Sequence, residues 1–169
     1  AAYYASKHYD GERKQGRPML SKGKKDVSQD PVPISQHPDV RRMLMRQKAI
    51  TEGCLSLTLE CSRLADAAHA GPEEQREDAT LLLELLTPVA KTYPAEMGQA
   101  SINEGLQVLG GYGYTTDYLL EQYYRDIRIT SIYEGTTGIQ SLDLLGRKIP
   151  MAEGRALQLL SEQMRDTIA

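Results

Sequence analysis

The sequence predicts an all-α fold, an antiparallel helical bundle built on two long helices. Three observations predict it. Apolar residues recur at alternating steps of three and four over two long stretches. No stretch shows sustained period-two alternation with β-branched enrichment, so a sheet is unsupported. All ten aromatic residues are tyrosine, which leaves Leu, Ile, Val, Met and Ala to fill the core, a palette that suits helices. The 169 residues, 40% hydrophobic and 25% charged, suffice for one domain with a real core and exclude disorder and collagen-like repeats. A net charge of −3 leaves no electrostatic footprint for gripping a phosphate backbone, which argues against nucleic acid as a partner.

Taken in order, the opening Ala1-Ala2-Tyr3-Tyr4 lacks the basic flank and apolar stretch of a signal peptide and reads as the middle of a helix begun upstream. That helix runs to about Arg13, and Gly16 and Pro18 end it, so that 1–18 form a first segment. Residues 19–36 carry Lys22, Lys24, Lys25, Pro31 and Pro33 with few large apolar side chains, the pattern of an exposed loop. A core bundle is expected over 37–149. Pro38 suits a first helical turn and Asp39 places negative charge at the positive helix end. The inward positions of this first long helix are Val40, Met43, Gln47, Ile50, Cys54, Leu57, Cys61, Leu64 and Ala68.

Gly71-Pro72 closes it, and Glu73-Glu74 open the second long helix, with Leu82, Leu86, Val89, Tyr93, Met97 and Ala100 inward and Ile102, Leu106 and Leu109 widening the stripe. Pro88 and Pro94 inside it each remove a backbone donor, so a kink or a break into two helices is expected. Helices of this length span about 45 Å and pack most easily as antiparallel neighbours. Gly110-Gly111-Tyr112-Gly113 stops the second, and Asp117 is a candidate cap for a short helix carrying Leu119, Leu120, Tyr123, Tyr124 and Ile127. After a linker at 131–135, Thr136 can cap a helix that packs Ile139, Leu142, Leu144 and Leu145 inward. Pro150 separates a last segment, 150–169, with an amphipathic helix from 152 to about 167.

Few residues offer chemistry. Cys54 and Cys61 lie seven apart on one helix, about 10 Å between Cα atoms, too far for a disulfide. They read as small core residues in a reduced, cytoplasmic compartment. His8, His37 and His69 are scattered, with no metal spacing, and no apolar run reaches membrane-spanning length. Gly110-Gly111-Tyr112-Gly113 looks like a phosphate loop, yet it follows a helix where a dinucleotide fingerprint follows a strand, and a plain helix stop explains it as well. In Ile132-Tyr133-Glu134-Gly135-Thr136-Thr137 a lone carboxylate sits beside a glycine in an apolar, tyrosine-rich setting before a helix N-terminus. Burial raises its pKa and the helix dipole lowers it; a base for a weakly acidic proton benefits from the first, while a simple helix-end charge is the plainer alternative.

Gln107-Val108-Leu109-Gly110-Gly111-Tyr112-Gly113-Tyr114, then Tyr124-Arg125-Asp126, then Ile132-Tyr133-Glu134-Gly135-Thr136, in that order, resemble the C-terminal helical domain of the acyl-CoA dehydrogenase family. Glu12-Arg13-Lys14-Gln15-Gly16-Arg17, His37-Pro38-Asp39-Val40-Arg41-Arg42-Met43-Leu44 and Gly138-Ile139-Gln140-Ser141-Leu142-Asp143-Leu144-Leu145-Gly146-Arg147-Lys148 look most like the large bacterial branch that includes 3-methylmercaptopropionyl-CoA dehydrogenases. The resemblance implies an FAD-dependent oxidation of an acyl-CoA to its trans-2-enoyl-CoA. A carboxylate takes the α-proton while a hydride leaves the β-carbon for flavin N5. Glu134 matches the family's base, and its own N–H, with a flavin ribityl hydroxyl, would hold the developing enolate oxygen. Tyr133 and Gly135 match substrate-contact positions. Arg13 matches the arginine that reaches the FAD pyrophosphate. Gln107, Gly110 and Gly111 match the segment that approaches the same phosphates, and Thr136 a residue beside the FAD.

Two departures stand out. Gln15, within the flavin-contact segment, is followed directly by Gly16 where relatives often have Phe, so an aromatic adenine contact is lost or moved, and Gly138 stands where a polar residue is common. The Arg125-Asp126 pair fits the family pattern and reads as structural, and the lysines at 22, 24 and 25 read as loop charges rather than CoA contacts. The resemblance further implies N-terminal helical and β domains outside this chain, an isolated chain without activity, a homo-oligomer (dimer or tetramer) and an electron-transfer flavoprotein as acceptor. Competing readings are a non-catalytic helical assembly or binding module of the same fold and an acyl-CoA oxidase.

Overall fold

The computed structural model describes residues 27–168. Helix α1 (Pro38–Ala70) begins at the proline expected to start it, and α2 (Glu73–Leu109) follows after the Gly71-Pro72 turn. A 3-10 turn (Gly110–Tyr114) leads to α3 (Leu120–Arg128), a second 3-10 turn (Ile129–Ser131) and the short α4 (Thr137–Asp143). The chain then widens into a π-helical stretch (Leu144–Lys148), turns through a 3-10 segment (Met151–Gly154) and ends in α5 (Arg155–Ile168). No strand occurs among the described residues. The helix predicted over 3–13, and the loop lysines, lie outside them.

The chain divides into two compact units. One comprises residues up to Glu52 with Met97–Arg128; the other comprises Gly53–Glu96 with residues from Ile129 onward. In the first, the start of α1 packs antiparallel on the end of α2, where Met43 and Leu44 meet Val108. Ile34 completes this core from a 3-10 turn (Ile34–Gln36), so the stretch read as a solvated loop contributes a buried anchor. A single isoleucine among prolines and polar residues has no periodicity to announce it. Gln47 is wholly buried at its inward position, its amide donating to the Met43 carbonyl at 3.4 Å. Glu104, on α2 and also buried, accepts from Arg46 at 2.8 Å and from Arg42 at 3.3 Å. Arg42 also donates to Asp39 at 3.0 Å. Those hydrogen bonds, Asp39 first and Glu104 next, push the Arg42 pKa up and keep the guanidinium charged.

In the second unit the end of α1 and the start of α2 form an αα-hairpin around Leu64, Ala79 and Leu82, and Leu159 of α5 packs on them. Lys148 is buried and paired with Glu84, and Arg155 reaches Asp78 at 3.1 Å. Lys148 closes the π stretch. Its Ile149 N–H donates to the Leu144 carbonyl five residues back, at 2.9 Å.

Four local expectations change. Helix α2 does not break into two at Pro88 and Pro94 but continues through both. Pro88 is buried within the fold, and packing offsets the one donor each ring removes. Tyr93 is half exposed rather than inward, because the buried stripe passes through Leu82, Leu85 and Ala95. Asp117 does not cap α3, which starts at Leu120; its carboxylate accepts from the Thr115 hydroxyl at 2.9 Å. The last helix starts at Arg155, since Ala152 and Glu153 adopt left-handed backbone at φ 49° and 56°.

Candidate active site

Two segments carry the predicted site residues, one in each unit. In the first, α2 ends because Gly110 takes φ 63°, the left-handed stop that favours glycine. Gly111 is exposed, and a Cβ added there would meet nothing within 4 Å. Gly113 is the opposite: a Cβ would lie 2.4 Å from the Leu106 carbonyl oxygen, so the turn is folded tightly onto the last turn of α2. Tyr112 packs edge-on against Tyr118, with ring centroids 6.4 Å apart. The result is an anchored turn that presents the Gly110-Gly111 backbone and the exposed Gln107 side chain. It stands at a helix C-terminus, where the macrodipole repels anions. Any phosphate here depends on hydrogen-bond donors and on an added cation.

In the second unit the loop between Ser131 and α4 is built from its two ends. The N–H groups of Ile132 and Tyr133 both donate to the Ile129 carbonyl, at 2.9 and 3.1 Å. The Lys91 ammonium, on α2, donates to the Thr130 carbonyl and lies 5.3 Å from the centre of the Tyr133 ring. At the far end Thr136 caps α4 as expected, its hydroxyl accepting from the Ile139 N–H at 3.4 Å. Thr137 donates to Glu96 at 2.5 Å. Between these anchors stand two consecutive left-handed residues, Glu134 at φ 53° and Gly135 at φ 94°. The Gln140 amide donates to the Glu134 carbonyl at 3.4 Å. A non-glycine residue at positive φ stores strain of the kind that collects at functional sites.

The apolar enclosure expected around Glu134 is not formed among the described residues: Glu134 is exposed and Tyr133 is 46% exposed. The expected inward face of α4 is also open, with Ile139, Leu142 and Leu145 all exposed, Leu142 at 75%. The three-and-four spacing was read correctly as helix, but that face has no counterpart in its own unit. Within α3, Asp126 accepts from Gln122 at 2.6 Å.

Arg13 and Gln15 lie outside the described residues. Gln107, Gly110 and Gly111 share the glycine turn, and Tyr133, Glu134, Gly135 and Thr136 share the loop before α4. Sequence reasoning missed Lys91 and Glu96, which sit in α2 without any motif, and gave Gln140 no role although it lies inside a quoted one. No group of His, Cys, Asp and Glu among the described residues suits a metal ion, and no described helix is long and apolar enough to cross a membrane. Both cysteines are free, and burial pushes both thiols up, away from the reactive thiolate.

Comparison with known proteins sets these two segments in a family. The profile of the acyl-CoA dehydrogenase C-terminal domain matches residues 24–149. The chain is 42% identical over 166 residues to 3-methylmercaptopropionyl-CoA dehydrogenase of Ruegeria pomeroyi, covering 98% of this chain and 27% of that protein. It is 40% identical over 169 residues to the broad-specificity linear acyl-CoA dehydrogenase FadE5 of Mycobacterium tuberculosis, again covering 98% and 27%. The crystal structure of Caenorhabditis elegans ACDH-11 in complex with C11-CoA superposes with a TM-score of 0.76 at 26% identity, over 98% of this chain and 25% of that one. The chain thus spans about a quarter of the length of the relatives it matches. By a matched profile and by identity along nearly its whole length, this chain belongs to the acyl-CoA dehydrogenase family and corresponds to its C-terminal helical domain.

Proposed function

We propose that this chain is the catalytic-base domain of an FAD-dependent acyl-CoA dehydrogenase, with Glu134 as the base that takes the α-proton of an acyl-CoA thioester. The observation that carries the reading is Glu134 itself: a lone carboxylate on a left-handed turn, anchored on both sides, within the segment that matches the family's base motif. A thioester α-proton is too weakly acidic for a solvated carboxylate alone. The step needs a dry site and donors aimed at the enolate oxygen. The Glu134 carboxylate accepts the proton while its own peptide N–H donates to the thioester oxygen. Gly135 and Tyr133 flank that approach. The β-hydride leaves in the opposite sense and the Cα–Cβ double bond forms.

Bound FAD supplies the hydride acceptor. The residues present fit it: its phosphates are pure acceptors, the exposed Gln107 amide is a donor, and the open glycine at 111 leaves room for their approach. Arg13 and the Gln15 segment would add charge and adenine-side contacts, offsetting the unfavourable helix end. The Thr136 hydroxyl, which accepts in its cap, still has a proton to donate to the flavin. Segments of the longer protein, N-terminal helical and β domains, enclose Glu134 and supply the rest of the cleft. A homo-oligomer, an electron-transfer flavoprotein as acceptor and a cytoplasmic setting complete the reading; the two free thiols fit a reducing compartment.

In the intact enzyme, Glu134→Gln is expected to retain FAD yet to abolish anaerobic bleaching of the flavin by acyl-CoA. Bleaching at the wild-type rate removes Glu134 from the base role, and would favour a non-catalytic module of the same fold.

A further inference from the structure

We propose that Gln140 is a positioning residue for the reaction: its side-chain amide fixes the Glu134–Gly135 peptide and thereby aims the Glu134 carboxylate, an inference that rests on the reading of Glu134 as the base. Gln140 sits in the first turn of α4, where its own N–H donates to the Thr136 carbonyl at 2.9 Å. Its side chain turns back over the loop. Nε2 lies 3.4 Å from the Glu134 carbonyl oxygen, and a Cβ added to Gly135 would lie 2.5 Å from the same Nε2. The missing side chain at 135 is therefore the gap through which the amide passes. Gly135 is required for its φ of 94°, and its missing side chain also lets the amide lie this close without swinging aside.

The left-handed region is strained for a non-glycine residue, so Glu134 holds it only when its surroundings dictate it. The anchors at Thr130, Thr136 and Thr137 fix the shoulders of the loop. Gln140 acts on the base residue's own carbonyl. Orienting that carbonyl fixes the plane of the peptide between Glu134 and Gly135, hence ψ of Glu134 and φ of Gly135, and with it the backbone frame that carries the carboxylate. A bond of 3.4 Å is long and adds little to stability, so its contribution is one of direction. The amide is also neutral, and positions the carboxylate without a charge that would weaken it as a base.

The test uses the holoenzyme that contains this chain. Gln140→Met keeps the volume and removes the donor. Rapid anaerobic mixing with an acyl-CoA is expected to show the limiting rate of flavin reduction lowered roughly 10- to 100-fold, the scale of a small misplacement of a reacting group. The half-saturating acyl-CoA concentration, the flavin content and the Tm are expected to stay as in the parent, and a crystal structure of the variant to show residue 134 outside the left-handed region. A normal limiting rate overturns the proposal. So does a loss of rate matched by loss of flavin or a lowered Tm, which marks a merely structural role. Glu134→Gln, run in parallel, separates the two readings. If it is inactive while Gln140→Met is normal, positioning alone fails; if it bleaches normally, both readings fall.

Discussion

Gly111 and Gly113 stand two apart in one turn and have different reasons to be glycine. At 113 an added methyl would press on the Leu106 carbonyl at 2.4 Å, and backbone cannot move aside as a side-chain tip can. Gly113→Ala is expected to destabilise the apoenzyme by about 1–3 kcal/mol in urea unfolding. At 111 the same methyl meets nothing within 4 Å, so Gly111→Ala is expected to leave apoenzyme stability within about 0.5 kcal/mol and to weaken FAD binding, read by flavin titration. Equal losses of stability for the two variants would refute the distinction. The sequence shows four residues with three glycines and no way to rank them, because the contact that matters is made with a carbonyl seven residues back, in α2. The same holds for Ile34 and Gln140. Both are visible as residues, but their partners are fixed by tertiary approach rather than by spacing.

Elements were legible where periodicity ran long. The starts of α1 and α2, the glycine stop after Leu109 and the Thr136 cap all follow from local chemistry, and the structure bears them out. Local chemistry misled where packing or backbone strain decided. Pro88 is tolerated inside α2, and Ala152, an excellent helix former, stands outside α5 at φ 49°. An alanine there pays a left-handed penalty that glycine avoids, so Ala152→Gly is expected to raise stability by roughly 0.5–1 kcal/mol despite glycine's greater unfolded-state entropy. A lower urea midpoint would contradict the assigned backbone. The α4 stripe of Ile139, Leu142 and Leu145 teaches a related lesson. Helical spacing reports that a face is apolar, and is silent on whether that face is met by its own unit.

For the whole molecule, the fold class was legible because no competing period existed, and the family was legible because three separated motifs occur in the right order. The enclosure of Glu134 was not, since the carboxylate is exposed among the described residues and spacing along a chain does not report what covers a loop. Consistent with coverage of 27% of its relatives, the polypeptide by itself is expected neither to hold FAD tightly nor to oxidise acyl-CoA. A flavin spectrum after adding FAD and desalting decides this, and a stoichiometric yellow protein would overturn it. The π-helical stretch from Leu144 to Lys148 bears on how relatives of different length are to be aligned. A π turn holds one residue more than an α turn, so this stretch amounts to an α-helix carrying a single-residue insertion. Deleting one residue there would restore α-helical phase and rotate everything downstream by about 100°. Lys148 would swing away from Glu84, and the chain entering α5 would leave in another direction. The length of this segment is thus a coded quantity in its own right, and a gap placed inside it in an alignment is a statement about where the last helix points.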